Sequence, residues 1–460
     1  MALSPWPQEM REAAPLMTAL AFLRGDNPYA LAGLPGPANV YGPLYPLLAV
    51  PFAWALGPGL PAMRLANAAA ILAATAILYA ACRREGAARV PALLGSGLAL
   101  AGWLYFTGPT VRPDGVGLAL MLGGCAVFAR DPLAWRGFGL ALALWLLAVA
   151  AKLYFVFPAP VAIAWVLWRG RVRRAVGYGA VAAAGLVGTI VGLAVMFPGW
   201  PVVALGANLG ATAYDLGHLM RQSRDWALFS LPLLVALALA ARRLRPDPWG
   251  AWALGGCAAL LASLGGHPGA HMTYFFHLLT PFAVVAATAA IGDSPLPRRT
   301  MAFAVLPTLL LNAHWFPASP SAIAAGAPGF AEAARLIAGA RAPLATTEFA
   351  PLLLAVGHAP TENGHADYFP YALAHPPPMW AAPLWPPRPL LEARAAALTG
   401  AIQSGLAARR YDLVLTNRFG FGLIPRDLLQ AHYRVVGELP VRMPWADQAW
   451  SAEIWRPRGD

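Results

Sequence analysis

Charge is scarce in this sequence. Only 12% of its 460 residues are Asp, Glu, Lys or Arg, against about 25% in a soluble globular chain. Apolar residues make up 58%, and mean hydropathy is +0.55. That is too little polar material to coat a water-soluble particle of this size. Disorder is excluded as well, because disordered chains combine low hydrophobicity with high charge. Cysteine is also rare. Cys82, Cys125 and Cys257 are the only three, each inside an apolar run, which excludes a disulfide-stapled secreted scaffold and says nothing of redox compartment. Lysine is almost missing: Lys152 is the single one, and every other basic residue among the 33 is arginine. No secretory signal and no repeat of about 20–50 residues stands out.

What the chain does have is long apolar runs: 62–82, 90–107, 115–129, 137–151, 153–168, 175–197, 226–243, 249–265, 272–291 and 300–316. Several approach the roughly 20 residues that cross a bilayer, and backbone in lipid must be helical or in a closed barrel. The fold class predicted is therefore an α-helical polytopic membrane protein with about 10 spans. The net charge of +12 is placed by topology, not by a nucleic acid. One set of loops holds fourteen arginines (83, 84, 89; 130, 136; 169, 171, 173, 174; 242, 243, 245; 298, 299), and the alternate loops between 108 and 271 hold only Arg112, Lys152, Arg221 and Arg224. Basic loops face the cytoplasm, so the N-terminal stretch and the C-terminal region fall outside it.

Three regions are predicted. Residues 1–60 form an extracytoplasmic first loop, with an amphipathic helix from Ala13 to Leu23 on the membrane surface and a proline-punctuated, re-entrant segment from Tyr41 to Leu56. Residues 61–316 form the helical membrane domain, in which 137–168 reads as a tight hairpin with Lys152 at its tip. Residues 317–460 regain charge. Candidate strands at 343–347, 412–416, 433–438 and 452–456, with helices near 329–340 and 390–409, predict a small extracytoplasmic α/β domain without a Gly-rich phosphate loop or Cys/His metal spacing.

Polar residues at membrane depth are costly, which makes them candidates for function. Lys152 reads either as a phosphate-binding ammonium at the outer interface or as a snorkelling helix-end anchor. Asp114 in Arg112-Pro113-Asp114-Gly115 is either a turn or N-cap residue, or an active-site carboxylate beside Arg112 as a phosphate clamp. Glu9 and Glu12, three apart, share a helix face that is either solvated or carries a general base. His267, His271, Tyr274 and His277 cluster at the start of an apolar run. His267 and His271 have metal-ligand spacing only if helical, and Pro268 and Gly269 oppose that.

Several stretches resemble the bacterial GT-C glycosyltransferases, a family that includes protein mannosyltransferases and the aminoarabinose transferases of lipid A. They are Arg11-Glu12-Ala13, Asn27-Pro28-Tyr29, Asn39-Val40-Tyr41-Gly42-Pro43-Leu44-Tyr45-Pro46, Arg112-Pro113-Asp114, and Ala151-Lys152 followed by Pro158. The order of these motifs covers essentially the whole chain. The resemblance implies a multi-pass protein of the bacterial inner membrane. Its active site would lie on the extracytoplasmic side, and it would move a sugar, with inversion, from a polyprenyl-phosphate donor to a lipid, glycan or protein acceptor. Glu12, or else Glu9, stands where the family carries a catalytic Asp, and Asp114 is the further acid. Lys152 and Arg112 would meet the donor phosphate, and Tyr41, Tyr45, His271 and Tyr274 would line the substrate cleft. No cofactor is firmly implied, although some members of the family use a divalent cation. The family starts with a span ahead of the first outer loop, so a preceding hydrophobic segment is expected upstream of Met1. Two other classes compete: a multispan transporter, which would place polar groups deep in several spans, and a non-catalytic membrane scaffold.

Overall fold

The computed structural model describes residues 3–9, 12–30, 39–106, 108, 110–201, 204, 214–240, 247–266, 272–291, 320–360, 387–417, 424–443 and 448–459. The apolar run 300–316 and both His267 and His271 lie outside these residues. Every other apolar run is helical over most of its described residues. α1 (Ala13–Leu23) and α2 (Leu44–Leu56) lead into α3 (Leu60–Arg84), α4 (Arg89–Phe106), α5 (Asp114–Phe128), α6 (Trp135–Ala151), α7 (Pro158–Trp168) and α8 (Val172–Met196). α9 (Leu216–Phe229), α10 (Leu231–Ala240), α11 (Pro248–Ala259), α12 (Thr273–Leu278) and α13 (Thr280–Ile291) follow.

Among the described residues two helices, α3 and α8, are long and apolar enough to cross a membrane unbroken, at 25 residues each. The others are shorter or interrupted, and proline is the common cause. Pro158, Pro232 and Pro281 have no N–H, so the carbonyls of Tyr154, Leu228 and His277 lose their helical partner and the helix resets. At the last of these breaks, Trp103 Nε1 donates to Phe276 O (2.9 Å) and Trp226 Nε1 to Thr280 Oγ1 (2.9 Å), which latches α12 against its neighbours.

The bundle has two chemically distinct ends. At one, Trp249 Nε1 donates to Glu85 Oε1 (3.2 Å), the Arg174 guanidinium donates to Leu133 O, and Asp131, Trp168, Arg169 and Arg171 line a common cleft. This is the end of the arginine-rich loops that are described. α5 begins with Asp114 at the opposite end, and those sequence-predicted site residues that are described lie toward it. α1 is enclosed, with seven of its 11 residues buried against α2, α3 and α5. α2 leaves Trp54 and Leu56 exposed at its far end.

The C-terminal region is an α/β unit. α14 (Pro320–Ala338), β1 (Pro343–Ala345), α15 (Ala350–Ala355), α16 (Arg388–Ala407), β2 (Leu413–Asn417), α17 (Arg426–His432), β3 (Tyr433–Met443) and β4 (Gln448–Pro457) build a four-stranded sheet in the order β1-β2-β4-β3. β1 and β2 are parallel (Leu344 opposite Val414), whereas β4 runs antiparallel to both β2 and β3. Side chains alternate across a strand. Leu413 and Leu415 therefore face Phe330, Ile337 and Phe349 on one side, while Val414 and Trp455 face Ile402, Leu406 and Leu429 on the other. The unit touches the N-terminal region directly: Trp6 packs onto its first core, and Leu354 onto the cluster formed by α1, α2 and α3.

Candidate active site

Asp114 is the first residue of α5. Pro113 occupies the cap position, and the Asp114 side chain makes no capping hydrogen bond. Its carboxylate instead turns toward the end of α6, where Lys152 adopts an extended backbone (φ −158°, ψ 127°) and stops the helix. Lys152 Nζ donates to Asp114 Oδ1 at 2.9 Å. The Asp114 side chain is fully enclosed and that of Lys152 is 16% exposed. Three tyrosines box the ammonium, with ring centroids of Tyr41 and Tyr154 at 5.0 Å and of Tyr274 at 5.8 Å. Cation–π attraction strengthens as a site loses water, so this box holds a charged amine in place with little solvent.

The loop that supplies Tyr41 is built to reach α6. A Cβ on Gly42 would stand 1.8 Å from Ala150 O, so only glycine permits the approach, and Gly42 N donates to Ala151 O at 3.0 Å. Buried polar contacts brace the loop from behind. Tyr41 N donates to Asn39 Oδ1 (3.1 Å), Asn39 Nδ2 to Thr18 Oγ1 (2.9 Å), and Tyr29 OH to Tyr41 O (3.0 Å). Under α5, Asn67 accepts from Gly115 N (3.0 Å) and donates to Thr110 O (3.0 Å). The start of α5 is thereby tied to α3.

The remaining acids occupy two settings. Glu9 pairs with Arg112 at 3.2 Å, both nearly buried, and Glu9 Oε2 has no hydrogen-bond partner among the described residues. Burial alone would pull the Arg112 guanidinium down; Glu9, Tyr41 and Asp114 around it hold it charged, above its usual value. Glu12 is fully enclosed and saturated with donors. Oε1 accepts from Arg64 Nε (2.8 Å) and Val111 N (2.9 Å); Oε2 accepts from Arg64 Nη2 (2.6 Å), Gln8 N (2.8 Å) and Glu9 N (3.3 Å). Arg64 also donates to Ser4 O and Trp6 O, so this pair sews the N-terminal segment to α3.

The structure therefore brings together Asp114, Lys152, Tyr41 and Tyr274, with Arg112 close enough to act on Asp114 electrostatically. Tyr45 is fully buried in the α1–α3 cluster with its hydroxyl donating to Met63 O (2.9 Å), and so presents nothing to a ligand. His271 lies outside the described residues. Among the described residues no three His, Cys, Asp or Glu side chains stand together as a metal site.

Two participants, Arg64 and Tyr154, escaped the sequence reading of the site, and His277 entered it only as part of a histidine cluster. Arg64 is a charge near the start of an apolar helix, and that cost was its signal. Tyr154 and His277 join Asp114 directly. Tyr154 OH lies 2.9 Å from Asp114 Oδ1 and 2.6 Å from His277 Nδ1, with His277 Nδ1 itself 3.6 Å from Asp114 Oδ1. His277 was visible as a histidine within an apolar run, but nothing in the spacing links it to residues 114 and 154.

No family model matches the chain, and no curated protein matches it by sequence. Solved structures do. One is ArnT from Cupriavidus metallidurans bound to undecaprenyl phosphate, with 14% identity and TM-score 0.58, covering 98% of this chain and 94% of that one. Another is ArnT from the same organism in the apo state, with 18% identity and TM-score 0.50, covering 89% of this chain and 76% of that one. At such identities the likeness is one of architecture, and it runs nearly end to end: this chain has the fold of ArnT.

Proposed function

We propose that this chain is a GT-C glycosyltransferase of the bacterial inner membrane, moving a sugar from a polyprenyl-phosphate donor to a hydroxyl acceptor at the extracytoplasmic face with inversion. The observation that carries this reading is the Lys152–Asp114 pair, boxed by Tyr41, Tyr154 and Tyr274 at the arginine-poor end of a fold shared with an undecaprenyl-phosphate-bound protein. Loop charge supports the orientation, since basic loops are retained in the cytoplasm.

The chemistry follows from the charges. An ammonium has three donors, and Asp114 engages one. Lys152, with Arg112, meets the donor phosphate with the others. Asp114 accepts the proton of the acceptor hydroxyl, and the freed oxygen bonds to the anomeric carbon. The bond from that carbon to the phosphate oxygen breaks, and its electron pair leaves with the polyprenyl phosphate. Negative charge disappears from Asp114 as it grows on the phosphate, so the field of Lys152 passes from one anion to the other without moving far. Phosphate is a good leaving group and needs no strong acid. Glu9 holds Arg112 charged, and Glu12, with all its lone pairs engaged, serves the architecture as the partner of Arg64.

Purified protein in lipid vesicles, given a radiolabelled polyprenyl-phosphate sugar and a hydroxyl acceptor, should transfer label. Lys152→Met should weaken donor binding about 10–100-fold, a loss of one desolvated charge contact. Absence of transfer together with saturable solute uptake would favour a transporter and overturn the assignment.

A further inference from the structure

We infer that His277 and Tyr154 form a positioning relay that fixes which oxygen of Asp114 receives a substrate proton: Oδ2. The inference deepens the sugar-transfer reading and rests on it for its kinetic arm. Proton counting comes first. Asp114 pairs with an ammonium at 2.9 Å and is a carboxylate, so it has no hydrogen to give. Tyr154 OH, also 2.9 Å from Oδ1, must therefore donate to it. A phenol has a single hydrogen. Toward His277, 2.6 Å away, the Tyr154 oxygen can only accept, so His277 carries its proton on Nδ1.

The consequence falls on Asp114. Oδ1 takes one hydrogen bond from Lys152 and one from Tyr154, whereas Oδ2 has no partner among the described residues. Oδ2 is enclosed, and its lone pairs are the unpaired ones that an acceptor hydroxyl admitted to the site would meet. Without His277, the Tyr154 hydroxyl is free to rotate away from Oδ1, and the carboxylate loses the contact that sets its plane. The proline break before α13 explains how His277 comes to be there: α12 ends at Leu278, and Trp103 holds the carbonyl of Phe276 next to it. Among the described residues, the charged and titratable groups facing His277 are Arg112 just before α5, Asp114 at its start, Lys152 from the end of α6, and Tyr154 beyond it.

Two measurements test the relay. In protein labelled with 15N-histidine, the His277 signal, identified by its loss in His277→Asn, should show protonation at Nδ1, and Tyr154→Phe should shift the Nδ1 resonance because the oxygen that accepts from it is gone. An Nε2–H form in the unmodified protein, or no response to Tyr154→Phe, overturns the inference whether or not the protein turns over. The kinetic arm compares His277→Asn, whose amide N–H can replace Nδ1–H, with His277→Leu, its near isostere without a donor. Turnover should fall roughly 10–100-fold in the leucine variant, as for misplacement of a reacting group by about 1 Å, with KM for the donor unchanged. The asparagine variant should recover at least several-fold of that loss. Equal losses in both overturn the relay. An unmodified protein that transfers no sugar but carries the Nδ1 proton counts against the sugar-transfer reading alone.

Discussion

At the scale of single residues, three buried acids near one another have three environments. Glu12 accepts five hydrogen bonds and neutralises Arg64, Glu9 neutralises Arg112, and Asp114 shares Lys152 while one of its enclosed oxygens has no partner among the described residues. Removing one partner of a buried ion pair strands the other, at about 3–5 kcal/mol. Glu12→Gln should therefore lower thermal stability in detergent by roughly that amount, and lose activity only through misfolding. Asp114→Asn should instead keep most of the stability, because Lys152 retains its tyrosine box and partial solvent access, while turnover drops at least about 100-fold with loss of the base. Comparing melting temperature and turnover for the two variants checks this. Equal stability loss in both would erase the distinction.

At the scale of elements, the site depends on close approaches between segments far apart in sequence. Gly42→Ala puts a methyl group 1.8 Å from the Ala150 carbonyl. The loop must retreat from α6, so Tyr41 should leave the ammonium. The expected outcome is a loss of roughly 1–3 kcal/mol, the usual range for overpacking, read by thermal unfolding, together with weaker donor binding. In the C-terminal unit Asp412 fastens β1 beside β2: its carboxylate accepts from Arg341 N and Ala342 N, both at 2.9 Å. Partial burial pulls its pKa up, but the backbone donors outweigh that and hold it below the usual carboxylate range. A group depressed on folding stabilises above its unfolded pKa of about 3.9. This contribution is therefore complete at neutral pH and disappears as pH falls through the lower, folded value. Asp412→Ala should remove about 1 kcal/mol at pH 7, seen as faster amide exchange in Leu344–Ala345 and Leu413–Val414, and the gap from the unmodified protein should close in acid.

At the scale of the whole molecule, the arginine-rich end and the site end lie at opposite ends of α5 and α6, and the C-terminal unit meets the N-terminal segment through Trp6 and Leu354. Extracytoplasmic placement of the site predicts a labelling pattern. Leu3, 71% exposed at the site end, and Arg171, exposed at the basic end, are suitable positions for single cysteines. In intact spheroplasts a membrane-impermeant maleimide should modify Leu3→Cys and leave Arg171→Cys untouched until the membrane is opened. The reverse pattern would invert the topology and move the site to the cytoplasm.

Helices and strands were legible because their signals are local: apolar length, proline position, and period-2 alternation in the C-terminal strands. The candidacy of Asp114 and Lys152 was legible because a charge in an apolar setting is costly wherever it lies. Arg64 carried the same signal, yet its partner could not be read, because Glu12 lies 52 positions away and nothing local encodes the pairing. The sequence by itself determined that this chain is helical and apolar, since these depend on composition and near neighbours. Only the tertiary structure decided that Lys152, Tyr154, His277 and Asp114 meet, that Glu12 is locked into the frame, and that Tyr45 faces away. Those outcomes depend on how proline-broken helices cross and how closely a glycine lets a loop approach, and such distances exist only once the chain is packed.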